Sequence, residues 1–229
     1  MRVGVLFSGG KDSTLALHYA KQYCEVSCLI TVVSKNPHSY MFHTPNIDWV
    51  DYQAKAIGLE IVKVTTEGVK EKELKDLERA ILLAKKRFNI NGIVSGAVAS
   101  VYQATRIQKI CNKLKLECFN PLWLKDQFEL LNELVKLKFE VIITGVFGEG
   151  LEGLIGRKVD ESFINEIRRV YDKLRINPAG EGGEFESFVL DTPFFKQKLE
   201  ITSHHIKGDA LAKVMYIDCL LYTSPSPRD

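Results

Sequence analysis

The chain has 229 residues, 45% of them hydrophobic and 26% charged, the proportions of a soluble folded protein. A chain of this length buries roughly 70–75% of its unfolded surface, so it needs neither disulfide nor metal to fold, and it suits one large domain or a domain with a small second lobe. The formal net charge of +2, with no long basic stripe, argues against nucleic acid as a main partner, and no run reaches the ~20 apolar residues of a membrane span.

The apolar run at 2–7 predicts a buried strand. It begins too close to the N-terminus for a signal peptide, which makes the cytoplasm the expected address. Ser8-Gly9-Gly10-Lys11-Asp12-Ser13 follows directly, and a helix is predicted over about 12–22. Strand, glycine turn and helix N-terminus together form an anion site: the first helical N–H groups and the positive end of the dipole favour phosphate. The glycines let the backbone approach a ligand, and the hydroxyls and Lys11 add donors. A Walker A loop is excluded: Gly4 and Gly9 have its spacing, but Gly10 stands where its lysine belongs and Asp12 follows Lys11. Asp12 cannot favour bare phosphate; it either helps hold Mg²⁺, through water, or acts as a helix N-terminal acid.

Strands are predicted near 24–33, 60–65 and 92–96, with helices near 46–57, 70–88 and from Ser100. The charged helix 70–88 carries the stripe Leu74, Leu77, Ile81, Ala84 and Phe88, and Ser100 with Gln103 makes a capping box. Alternating β and α with near-continuous apolar strands predicts an α/β fold, a doubly wound parallel sheet covered on both faces. Ligands of such sheets lie beyond the carboxyl ends of the strands, where strand order reverses. Gly96 after the fourth strand is therefore expected to bring a second backbone N–H to the phosphates, and Val33 to form part of an adenine wall.

The pattern changes near Pro121. Asp126 caps a helix to about 138, 140–147 is a strand, and Asp160 caps a helix with the stripe Phe163, Ile167, Val170 and Leu174. Strand-like segments follow near 196–203 and 211–217. This divides the chain into a nucleotide lobe (1–120), a smaller α/β lobe (121–218) and a tail (219–229) whose Ser-Pro-Ser-Pro cannot continue a central strand and resembles a cloning scar. The five cysteines, Cys24, Cys28, Cys111, Cys118 and Cys219, are an odd number without a C-x-x-C and read as reduced thiols.

Three further constellations carry polar chemistry. His43, in Tyr40-Met41-Phe42-His43-Thr44-Pro45-Asn46, is either a substrate or phosphate contact or a solvated or locally bonded loop histidine. Tyr102 and Arg106 lie in the first turns of the helix after Ser100, and Arg106 either reaches a phosphate or carboxylate or lies on the surface. Glu181, Glu184 and Glu186, interleaved with Gly180, Gly182 and Gly183, repel one another unless water, a cation or an amine offsets them, so the segment is either an ammonium or Mg²⁺ site or a solvated acidic turn.

SGGKDS resembles the loop of the PP-loop ATP pyrophosphatases, which cleave ATP between the α and β phosphates. Together with YMFHTPN, SGAxxSxYQxxR, NPLW and GEGGEFESFVLD, in order over residues 1–218, the chain resembles the diphthine–ammonia ligase family. That family more often has Tyr at Phe185 and Thr-Leu at Ser187-Phe188. The resemblance implies an adenine-nucleotide α-hydrolase-like fold and an ATP- and Mg²⁺-dependent amide ligase acting on the diphthine of translation elongation factor two. Ammonium would be the nitrogen donor, and an acyl-adenylate the intermediate. It implies that Ser8, Gly9, Gly10, Lys11 and Ser13 hold pyrophosphate and that Asp12 orients the triphosphate with the metal; His43, Tyr102, Arg106 and Glu181 are expected to serve the substrate. Independently of the resemblance, Glu181, Glu184 and Glu186 are expected to bind ammonium or take its proton. The alternatives are another PP-loop ligase, acting on a small carboxylate or tRNA, and a non-catalytic adenine-nucleotide sensor.

Overall fold

A computed structural model describes residues 1–36, 39, 41–42, 45–209 and 211–222. The chain forms two compact units, one of Met1–Ser8, Asp12–Lys55 and Leu59–Leu124, the other of Gly9–Lys11, Ala56–Gly58 and Lys125–Asp229.

The first unit runs β1 (Arg2–Leu6), α1 (Lys11–Tyr23), β2 (Glu25–Ser34), a 3-10 turn (Ile47–Trp49), α2 (Val50–Ile57), β3 (Ile61–Thr66), α3 (Glu73–Phe88), β4 (Gly92–Val94), α4 (Val101–Leu114) and β5 (Glu117–Phe119). Its five strands make one parallel sheet in the order β3-β2-β1-β4-β5, so the expected parallel α/β fold holds. Residues from α3 and α4 (Leu77, Ile81, Ile107, Ile110) bury one sheet face with Cys28, Ile30, Val32 and Ile93. Strand alternation turns Val3 and Val5, both fully buried, to the opposite face. Gly4 shares the side of Ile30 and Ile90, where a Cβ would stand 2.8 Å from the Ile30 Cδ1 atom. The strand β5 went unread in the sequence because it has three residues, with Glu117 and Phe119 exposed.

The second unit contains α5 (Gln127–Lys136), β6 (Glu140–Phe147), α6 (Glu161–Leu174), β7 (Phe185–Asp191), β8 (Lys198–Gly208) and β9 (Ala212–Tyr222). The strands form an antiparallel sheet ordered β7-β6-β9-β8. Leu130, Leu131, Leu134, Phe163, Ile167, Val141, Ile143 and Phe188 are buried in this unit. Strand β9 continues through Cys219–Tyr222, with Cys219 buried and paired opposite Ile201, so those four residues are strand where a tail was expected. Residues 223–229 lie outside the described residues.

The cysteines are free thiols. Burial, with Glu60 nearby, pushes the Cys28 thiol up to about 12 and, with Asp218 nearby, the Cys219 thiol to about 12. Among the described residues no helix is long and apolar enough to cross a membrane.

Local capping chemistry sets the helix starts. The side chains of Ser100, Asp126 and Asp160 accept from the N–H groups of Gln103, Glu129 and Phe163, all three caps as expected from the sequence. Replacing Ser100 with Ala removes the acceptor at the start of α4 and is expected to cost about 1 kcal/mol, measured as a lower denaturation midpoint with an unchanged m-value.

Candidate active site

In the sheet order, β1 lies between β2 and β4, and the chain reverses its direction of strand addition there. The ends of β1 and β4 are therefore the topological switch point, where a ligand crevice is built. Ser8 begins the loop after β1; its N–H donates to Ser13 Oγ at 3.2 Å, and the two hydroxyls are 3.2 Å apart. Gly9 has φ 80°, the left-handed region that glycine enters without penalty. Gly96, after β4, faces the start of α1: a Cβ there would lie 2.8 Å from the Asp12 carbonyl carbon and 2.8 Å from Ser13 N. Real Cβ atoms do not approach backbone so closely, so the β1 and β4 loops need glycine at 96. Val33 is half-buried at the carboxyl end of β2.

Within the second unit, the middle of the same loop is fastened to β7. Val189 N donates to Gly9 O at 3.0 Å, and Lys11 N donates to Ser187 Oγ at 3.2 Å. Lys11 is only 3% exposed, and its Nζ lies 5.6 Å from the centroid of the Phe185 ring. One N–H expected to face phosphate is thus engaged by Ser187, while the lysine is held beside the GEGGEFES segment.

The three glutamates of that segment differ. Glu184 Oε1 accepts from Asn177 N at 2.7 Å and from Asn177 Nδ2 at 2.8 Å, while its Oε2 accepts from Gly182 N at 2.8 Å. Gln127 ties this turn to α5, donating to Asn177 Oδ1 and accepting from Ala179 N. Glu184 therefore builds the turn, a different task from the proton transfer expected of it. Glu186 sits within β7 opposite Gly145, and Glu181 is half-buried in the turn before it.

In the first unit, the segment after β3 organises two of the sequence motifs. Glu73, fully buried at the start of α3, accepts from Ser39 Oγ at 2.6 Å, and Ser39 Oγ accepts from Phe42 N at 3.1 Å. Met41 and Phe42 pack against the core beside α3 and α4, so that part of YMFHTPN is an anchor. His43 lies outside the described residues. Glu71 Oε1 accepts from Tyr102 OH at 2.9 Å and from Arg106 Nε at 3.0 Å and NH2 at 2.5 Å. The Arg106 guanidinium lies 3.4 Å from the Tyr102 ring centroid. Hydrogen bonds from Arg106 and Tyr102 hold the Glu71 carboxyl below its usual range. Tyr102 and Arg106 lie against one another, and Arg106 is committed to a carboxylate of this chain.

Glu71 and Glu73 were missed in the sequence. For Glu73 a signal existed: residues 73, 77, 80, 81 and 84 are the buried positions of α3, so the acid stands on the apolar stripe.

These residues suit a nucleotide polyphosphate. Within the first unit, a helix start, a cradle that a Cβ at 96 would fill and paired hydroxyls form its donor set. Asp12, in the first turn of α1, is the carboxylate of this loop. Among the described residues no group of three His, Cys, Asp or Glu side chains forms an all-protein metal site.

Residues 1–118 match the diphthamide synthase N-terminal domain and residues 126–219 the diphthamide synthase C-terminal domain. The chain belongs to the diphthine–ammonia ligase family. The diphthine–ammonia ligases of Homo sapiens and Bos taurus are each 30% identical over 95% of this chain and 90% of their own length. The ligase of Danio rerio is 30% identical over 95% of this chain and 94% of its own. Both lobes of this chain thus have counterparts in the family.

Gly96→Ala tests the cradle. The added methyl meets backbone that cannot swing aside, so a loss of roughly 1–3 kcal/mol is expected. Differential scanning fluorimetry should show a lower melting temperature, and a rise in melting temperature with ATP is expected for the wild type and not for Gly96→Ala.

Proposed function

We propose that this chain converts the diphthine of translation elongation factor two to diphthamide, using ATP and ammonium and releasing AMP and pyrophosphate. Membership of the diphthine–ammonia ligase family over both domains is the observation that carries the reading. A carboxylate is a poor acylating group because its oxygen is a poor leaving group. In the proposed reaction a diphthine carboxylate oxygen attacks the α phosphorus, the bond to the bridging oxygen of the β phosphate breaks, and pyrophosphate departs. Ammonia then attacks the acyl carbon and AMP leaves with the former carboxylate oxygen.

Ser8, Gly9, Gly10, Lys11 and Ser13 are assigned to the departing pyrophosphate, where negative charge grows as the bond breaks. Lys11 suits this because burial strengthens its attraction to phosphate. The engagement of its N–H by Ser187 pre-sets the loop, so little ordering remains when ATP enters. Gly96 closes the phosphate side and Val33 the adenine side. Mg²⁺, when bound beside Asp12, supplies charge that offsets the triphosphate and orients it for in-line attack. His43 and Tyr102 are assigned to the diphthine side. As the translation factor is the substrate, the cytoplasm is where the reaction would run.

Ammonium must lose a proton before its nitrogen can attack, and the resulting adduct loses another. Glu186 and Glu181 are the carboxylates proposed to hold the cation and accept these protons. Glu184 is withdrawn from that role because three N–H groups of its own turn occupy its oxygens.

The purified protein is to be incubated with ATP, Mg²⁺, ammonium and diphthine-bearing elongation factor. AMP formation that needs both the factor and ammonium supports the reading; bound ATP that stays intact overturns it. Glu186→Gln is expected to keep ATP–pyrophosphate exchange while slowing amide formation about 100-fold or more. Glu184→Gln is expected instead to lower thermal stability, since its amide cannot accept from both Gly182 N and Asn177 N. Equal loss of both half-reactions in Glu186→Gln would remove that residue from the ammonia step.

A further inference from the structure

Three donors converge on one oxygen of Glu71: the Tyr102 hydroxyl and two N–H groups of Arg106. The guanidinium also lies over the Tyr102 ring, with the Lys70 Nζ 5.5 Å from the same ring's centroid. A tyrosine has a single hydroxyl proton, and here it points at Glu71. Its ring is then held in plane by the cation stacked on it. Glu71 itself has φ 65°, a left-handed conformation that costs a side-chain-bearing residue of order 1–2 kcal/mol and persists only where surrounding contacts enforce it. The clamp spans the segment after β3 and the first turns of α4, both at the carboxyl end of the parallel sheet.

We propose that Glu71 is a positioning residue of the substrate site, acting through Arg106 to fix the ring and the hydroxyl direction of Tyr102. The inference rests on the reading of Tyr102 as a diphthine-side residue. It changes the part played by Arg106, whose fork is spent on Glu71 and does not grip the substrate. It also sets the polarity of Tyr102, which does not donate its hydroxyl proton to the diphthine carboxylate while Glu71 is ionised.

The test uses Glu71→Gly, Glu71→Gln and Tyr102→Phe in the full chain. Glycine accepts φ 65° without strain, so Glu71→Gly removes the carboxylate while leaving the melting temperature unchanged or raised. With the elongation factor as varied substrate, Glu71→Gly is expected to lower kcat/KM about 10-fold or more, through KM of the factor, with KM for ATP within twofold of wild type. Tyr102→Phe with Glu71→Gly should lose less than the product of the two single losses, because both remove the Tyr102–Glu71 bond. Glu71→Gln keeps an acceptor and should recover part of the loss.

A second readout does not depend on turnover. Burial and the bond to Glu71 raise the Tyr102 phenol. The Tyr102 titration, obtained by subtracting the ultraviolet titration curve of Tyr102→Phe from that of the wild type, should move down when the same subtraction is made in the Glu71→Gly background. Wild-type KM for the factor in Glu71→Gly, a rise in KM for ATP of equal size, or an unmoved phenol titration would each overturn the proposal. A wild-type protein that forms no AMP with the factor and ammonium would instead defeat the ligase reading, and the phenol titration would still decide the clamp.

Discussion

Two hydrogen bonds, from Val189 N to Gly9 O and from Lys11 N to Ser187 Oγ, govern the glycine loop. A Ser-Gly-Gly sequence is the most freely moving kind of backbone, and ordering it costs on the order of 1–2 kcal/mol per residue. If that cost fell due on ligand binding, the loop would be a weak phosphate site. Strand β7 meets it during folding, through bonds made some 180 residues along the chain. The same strand carries Glu186, so the element that shapes the phosphate loop also displays the carboxylate proposed for the ammonia step.

That economy explains why the glycine-rich glutamate segment is built as it is. A run with Glu181, Glu184 and Glu186 carries a concentration of like charge that destabilises a compact turn. Glu184 is turned to structural use by accepting three N–H bonds, which lets a carboxylate do what a helix cap does elsewhere. Gly180 and Gly183 take positive φ values, 78° and 86°, that accommodate the tight path around it. The remaining two acids are then delivered at fixed places by a turn that the third one holds.

The parts of the fold legible in the sequence were those decided over a few residues. Caps at Ser100, Asp126 and Asp160, the apolar strands, and the strand–turn–helix passage through Ser8–Ser13 all follow from local spacing. Gly96 was legible only as a donor; its packing against the Asp12–Ser13 peptide depends on a pairing of β1 with β4 that no local pattern encodes. The end of β9 was obscured because the Ser-Pro repeat beyond it outweighed the alternation of Met215, Ile217 and Cys219, which are buried in turn. Glu71 and Glu73 were hidden for a different reason. Their partners lie 31 to 35 positions away, so a segment of lysines and glutamates read as a solvated helix start.

The segment from Gly68 to Glu73 belongs to no recognisable motif, and yet it serves two that do. Gly68, at φ 69°, lets the chain pass where a Cβ would lie 2.2 Å from Ser34 Oγ, and the Gly68 carbonyl accepts from Asn36 Nδ2. Glu73 then holds Ser39 and, through it, the backbone of Phe42. Glu71 holds Tyr102 and Arg106. Motif residues supply the chemistry, but short side chains and flexible backbone cannot set their own positions. A carboxylate is suited to that task because it accepts several donors at once from different elements and, when ionised, cannot compete as a donor. The acids of this segment therefore act as junctions, Glu73 to the loop after β2 and Glu71 to the helix after β4.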